Sequence, residues 1–285
     1  MSTVLAIAGY GLREAVRRKV FAVVVVLTAV FLVLYWLACH FVFGRLGNIS
    51  PPEGVLVDKR TFAGAFLLGL AMFATLFLGV VLAVFLTLGV VSGDAERGLL
   101  QPLLVRPVSR TKLLLSRFLG AAAVCVLYVA AVYGCAVVIV DATGNWTPPA
   151  LVSPALELAG GVVIVAALSV LGSVVLSSTA NGIAVFMLFG AGLVAGLLGT
   201  IGHALNSQTI SHASTIAAWA LPFEALYEDA LRQISSSATG VTSFLLQLGP
   251  FGGGYVHGWQ VPVWSAAYLA AALALAVAVF SRKDL

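Results

Sequence analysis

The side chains able to do chemistry are concentrated in one segment, Ser92–Phe118, which carries two acids (Asp94, Glu96) and five bases (Arg97, Arg106, Arg110, Lys112, Arg117) between two long apolar runs. Charges interleaved with leucines (Leu99, Leu100, Leu103, Leu104, then Leu113, Leu114, Leu115) suit short amphipathic helices that dock by ion pairs and apolar contact rather than break bonds. Pro102 would cost about 3 kcal/mol inside a helix, so the segment is expected to break there, with Pro107 as a second interruption. Elsewhere the reactive groups are scattered. Ser169, Ser173 and Tyr128 have no His or carboxylate nearby in sequence, and neither GxSxG nor HExxH occurs. The four histidines (His40, His203, His212, His257) fall in different segments, where isolated interfacial His is the simpler reading than a metal site. Cys39, Cys125 and Cys135 lie in or beside apolar runs without a CxxC pair and read as small buried hydrophobes. No GxxxxGK[ST] is present, so any nucleotide energy has to come from another chain. Gly252–Gly254 have no strand-to-helix frame and no following Lys, and read as a turn rather than a phosphate cradle.

The elements that must position these groups are apolar helices. With 61% hydrophobic and 9% charged residues, against roughly 25% charged in soluble domains, the chain is an integral membrane protein. Apolar runs at about 20–43, 62–91, 119–140, 156–177, 183–202 and 263–280 are each near or above the ~20 residues that cross a bilayer. The run after Lys19 is too long for a signal peptide and has no cleavage site, so it reads as a retained span. Six spans put both termini on one side. That side collects Arg13, Arg17, Arg18, Lys19, Arg97, Arg106, Arg110, Lys112, Arg117, Arg282 and Lys283 and leaves Arg45, Lys59, Arg60 and Arg232 on the other, which predicts cytoplasmic termini and a cytoplasmic 92–118 loop. The net charge of +4 needs no nucleic acid to explain it, since its bases flank the spans.

Residues 1–19 show apolar positions at helical spacing opposite Arg13, Arg17 and Arg18, which suits a helix lying on the inner membrane surface or an inward extension of the first span. Residues 203–262 form a long external connection by parity. Within it Phe223, Leu226, Tyr227, Ala230, Leu231 and Ile234 repeat at helical spacing after Pro222, with Glu224, Glu228, Asp229 and Arg232 opposite, which predicts an amphipathic helix at the outer surface. The spans hold essentially no ionisable residue; Glu157 sits at the outer end of the fourth and Asp141 just beyond the third, which counts against ion-coupled secondary transport. Gly192 and Gly196 form a GxxxG suited to close helix packing, within or between subunits. The second inward turn, Ser177–Gly182, is either a minor contact with a cytoplasmic partner or simply a tight turn.

A loop that opens with Asp94, Glu96 and Gly98, runs through leucines and reaches Arg106-Pro107-Val108-Ser109-Arg110 resembles the permease subunits of ABC-2 type ABC transporters. Leu12–Phe21 is similar to that family's elbow helix, Phe280–Leu285 to its basic-acidic ending, and Leu221–Leu231 (LPFEALYEDAL) to a segment found before the last span in the copper-processing-type branch. Three positions depart from the pattern: Leu99 stands where Thr is frequent, Gln101-Pro102 interrupts a usually continuous helix, and Arg117 replaces a frequent Lys.

The resemblance implies an all-α transmembrane domain over 1–285, with six transmembrane helices, an elbow helix, a cytoplasmic coupling loop and an external helix before the last span. It implies a homodimeric permease in a prokaryotic inner membrane, driven by two ABC ATPase subunits that hold ATP and Mg, with no cofactor bound by this chain and with lipids but no nucleic acid as further partners. The coupling contacts it implies are Glu96, Arg97, Gly98, Leu99, Leu103, Leu104, Arg106, Pro107, Ser109 and Arg110. Export is the activity implied; a non-transporting anchor for an ATPase, a secondary transporter and a membrane enzyme are the alternatives.

Overall fold

The structure, a computed structural model, describes residues 19–46, 58–88, 110–205, 207–236 and 258–282. These form eight helices: α1 (Lys19–Arg45), α2 (Lys59–Thr87), α3 (Arg110–Gly144), α4 (Val152–Val175), α5 (Ser178–Ala204), α6 (Gln208–Ala220), α7 (Pro222–Ser235) and α8 (Gln260–Arg282). α1 to α5 and α8 are long and apolar enough to cross a membrane, and each of the six apolar runs falls on one of them. The chain is an all-α membrane protein. Residues 1–18, the bulk of the expected elbow, lie outside the described residues.

Local chemistry sets several helix ends. The Asp58 carboxylate accepts the Arg60 and Thr61 amides at 3.1 and 3.3 Å and the Thr61 hydroxyl at 2.5 Å, satisfying donors that the first turn of α2 cannot pair internally. α3 begins at Arg110, so Arg110–Phe118, read from the sequence as loop, are its first turns, with Leu114 and Phe118 buried. It ends where Asn145 takes φ 49°, a left-handed conformation that Asn tolerates, and donates its N–H to the Asp141 carbonyl at 2.8 Å. Asp141 therefore sits in the last turn of α3, exposed.

α2 and α4 bury most of their length and form the centre of the bundle, whereas α1 and α8 expose most of theirs. Small residues let the central helices approach: a Cβ on Gly79 would lie 2.9 Å from Val162 Cγ2, and Gly64 lies against the Trp146 ring. α6 runs back along α5, with Gly202 facing Ile210 and Gly199 facing Ser214, and α7 then climbs beside α4. The turn between them, at Leu221–Pro222, is level with Gly161, nine residues or about 14 Å into α4, and with Gly192, midway along α5. α6 and α7 are thus a re-entrant hairpin whose tip reaches about halfway into the bundle.

This corrects the expected position of α7. The helix exists where its periodicity placed it, but its polar face does not meet water: Glu224, Glu228 and Asp229 retain 4%, 8% and 5% exposure. The apolar face packs on α4 and α2, and α5 covers the face that the sequence assigns to solvent. Arg232, one of the residues on that face, keeps its side chain 31% exposed.

Candidate functional site

Of the ten expected coupling contacts, Glu96, Arg97, Gly98, Leu99, Leu103, Leu104, Arg106, Pro107 and Ser109 lie outside the described residues, and Arg110 opens α3. Their frame is described. The end of α2 that leads into the segment is held by a polar network: Thr87 Oγ1 lies 2.7 Å from Ser169 Oγ on α4, and Asn181 Nδ2 on α5 donates to the Ser169 carbonyl at 2.8 Å. Asn181 is fully buried over Gly172, where a Cβ would collide with its amide oxygen. The second inward turn shortens to Leu176–Ser177, with α5 starting at Ser178, and Asn181 belongs to the bundle rather than to its surface. An apolar groove of about 630 Å³ lies beside it, lined among others by Phe85, Leu88, Gly182, Phe186 and Met187. Ser169, read from the sequence as a lone hydroxyl, is thus part of a three-helix brace. Tyr128 lies 2.6 Å from Thr28 of α1, and Ser173 donates to the Val170 carbonyl at 2.7 Å.

The second concentration of polar groups is at the hairpin. Pro222 starts α7 inside the bundle, where its missing N–H leaves one fewer unpaired amide. Phe223 seats its ring over Gly192 and beside Phe189, with centroids 5.6 Å apart. One residue on, the Glu224 carboxylate lies against Gly196, where there is no Cβ to exclude it. Glu228 Oε1 would be 3.0 Å from the same missing Cβ. The GxxxG of α5 therefore packs within the subunit, one glycine receiving a ring and the other two carboxylates.

Glu224 Oε2 has no hydrogen-bond partner, and neither does the buried Tyr227 hydroxyl, which is within electrostatic reach of both carboxylates. Burial, and then the Glu228 charge, push the Glu224 carboxyl above the usual carboxylate range; burial does the same to Glu228. One turn further out, Asp229 pairs with Arg232, and Gln233 Nε2 donates to both Glu157 Oε1 on α4 at 2.7 Å and Asp229 Oδ2 at 3.0 Å. The outer carboxylates are bridged, and the inner pair is not.

Sequence reasoning missed this inner pair because it assigned the acids of α7 to water. The signals were present: two glutamates at i, i+4 on a Pro-started helix whose one base, Arg232, stands eight residues from the first of them, and a glycine pair of equal spacing on α5. Among the described residues no three His, Cys, Asp or Glu side chains group as metal ligands, and Cys39, Cys125 and Cys135 are free thiols.

The family model described as "ABC-2 family transporter protein" matches residues 5–285. No curated protein matches significantly. Six spans and a match that covers nearly the whole chain lead to one conclusion: the chain belongs to the ABC-2 transporter family, membrane permease components of ABC transporters that work with ABC ATPase partners.

Proposed function

We propose that this chain is the permease of an ATP-driven exporter, paired with a second copy and moved by two separate ATPase subunits that bind ATP and Mg. The observation that carries the reading is the family match over 5–285. Both termini and the 92–109 segment face the cytoplasm, an orientation that the distribution of Lys and Arg supports, and the membrane is the inner membrane of a prokaryote. The segment enters a cleft on the ATPase through Leu99, Leu103 and Leu104, with Glu96, Arg97, Arg106 and Arg110 as polar contacts and Gly98, Pro107 and Ser109 as further coupling contacts. Its motion reaches the bundle through α2, whose adjoining end is tied to α4 and α5 by Thr87, Ser169 and Asn181. ATP drives the switch because it binds one of two arrangements of the pair more tightly than the other.

A cognate ABC ATPase is expected to co-purify with the chain in equal amounts. Glu96→Lys, which puts a like charge into a polar contact at a cost of several kcal/mol, is expected to lower permease-dependent ATP hydrolysis by at least about tenfold while leaving membrane insertion intact. Parent-like coupling in that variant and in a chain lacking residues 99–105 rules out the segment as the motor contact. A cysteine placed at Ser109 should react with an impermeant reagent only from the cytoplasmic side. One observation favours secondary transport as a second reading: α7 carries carboxylates into a bundle whose spans hold almost none. Transport persisting in vesicles without any ATPase would decide for it.

A further inference from the structure

Three occupants could relieve the crowding of Glu224 and Glu228: a metal ion, an organic cation or a proton. A metal needs more donors than two carboxylates supply, and no third His, Cys, Asp or Glu joins them among the described residues. An organic cation needs space, and the carboxylates are pressed against the Gly196 backbone. A proton needs neither.

The charges around the pair do not neutralise it. On α7 itself, Tyr227 adds an unpartnered hydroxyl and Asp229 a further acid; Arg232 lies eight residues or about 12 Å along the axis from Glu224 and four residues or about 6 Å from Glu228, and its guanidinium is taken by Asp229. α4 contributes Glu157, α6 carries the exposed His212, and α8 carries the half-buried Tyr268. α2 brings Phe73 against Tyr227, and α5 brings Phe189 and two glycines against Phe223 and Glu224, while Lys59 and Arg60 open α2 thirteen or more residues, about 20 Å, from Phe73. The amino end of α7 favours a charge on Glu224 by at most about 2 kcal/mol, less than the several kcal/mol that each buried ion costs.

We propose that Glu224 and Glu228 form a proton-binding site that seats the α6–α7 hairpin against α5, so that the hairpin is held while a proton is bound and loosens when both carboxylates ionise. The neutral acid supplies the donor that the second carboxylate lacks. The stabilisation is fully present below the ordinary carboxylate range and is lost as pH rises through the folded-state value. The proposal involves no ATPase and stands apart from the export reading.

The test uses the purified full-length chain in lipid nanodiscs between about pH 5 and about pH 9. Infrared spectra should show a desolvated carboxylic acid at neutral pH that Glu224→Gln/Glu228→Gln removes. Amide exchange over 222–235, corrected for its intrinsic pH dependence, should accelerate by up to roughly tenfold per unit above the titration in the parent, and should stay slow in the double variant. Each single Gln variant serves if the double one does not insert. Absence of the acid band in the parent, its undiminished persistence in the double variant or in both single variants, equal pH dependence of exchange in parent and variants, or displacement of the band by sodium or calcium ions at fixed pH would each overturn the proposal.

Discussion

Two polar groups inside this bundle are built alike and satisfied differently. Asn181 lies over Gly172 and Glu224 over Gly196; each occupies the space that a Cβ would take, and each leaves one buried oxygen without a partner. Asn181 is neutral and its amide reaches the Ser169 carbonyl, so an unpaired oxygen costs only about 1–3 kcal/mol while three helices are tied together. Glu224 is an acid beside another acid and has no donor, a situation that only a change of protonation resolves. The difference teaches that a glycine socket is not itself a functional sign: the same device makes a static brace under an amide and a titratable seat under a carboxylate pair.

The largest effect that would break this comparison is expected at the sockets. Gly196→Val drives a branched side chain into the Glu224 carboxylate and should lower stability by about 3 kcal/mol, whereas Gly190→Ala on the same helix, with open space around it, should change it by less than about 1 kcal/mol. Thermal unfolding in detergent measures both, at roughly 2–4 °C per kcal/mol; equal shifts would mean that α5 does not hold the hairpin by this contact. Next in size, Asn181→Leu should cost about 1–2 kcal/mol through the lost amide bond, with the same loss at every pH. A pH-dependent loss there would erase the distinction between brace and seat. A smaller effect than either lies outside both sockets: Asp58→Ala should cost about 1 kcal/mol as a lost helix cap. The Thr61 hydroxyl holds the Asp58 carboxyl below its usual range, so this contribution is present above the ordinary carboxylate range and fades as pH falls through the depressed value. Stability curves of parent and variant should therefore converge in acid, the opposite direction to the hairpin site.

Much of the fold was legible because a bilayer imposes a simple rule: a run of about twenty apolar residues becomes a helix whatever its neighbours do. All six runs became helices, and even α7 was readable from its 3.6-residue period and Pro222. Composition singled out the 92–118 segment, but the coupling contacts that the family resemblance implies there, from Glu96 to Ser109, lie outside the described residues. The acids of α7 were misread because amphipathicity tells which residues share a face and not what that face meets. Leu221-Pro222 looks like any helix start; its depth depends on Gly161 and Gly192, more than twenty residues away in the chain.

What the sequence determined by itself is therefore the set of helices, the membrane as their solvent and the absence of a P-loop, since each follows from local composition. Only the tertiary structure decided that α6 and α7 fold back into the bundle, that the glycines of α5 receive Phe223 and Glu224, and that Thr87, Ser169 and Asn181 meet. The reason is physical: helix formation is a short-range property of a segment, whereas the cost of a buried carboxylate depends on every helix that excludes water from it.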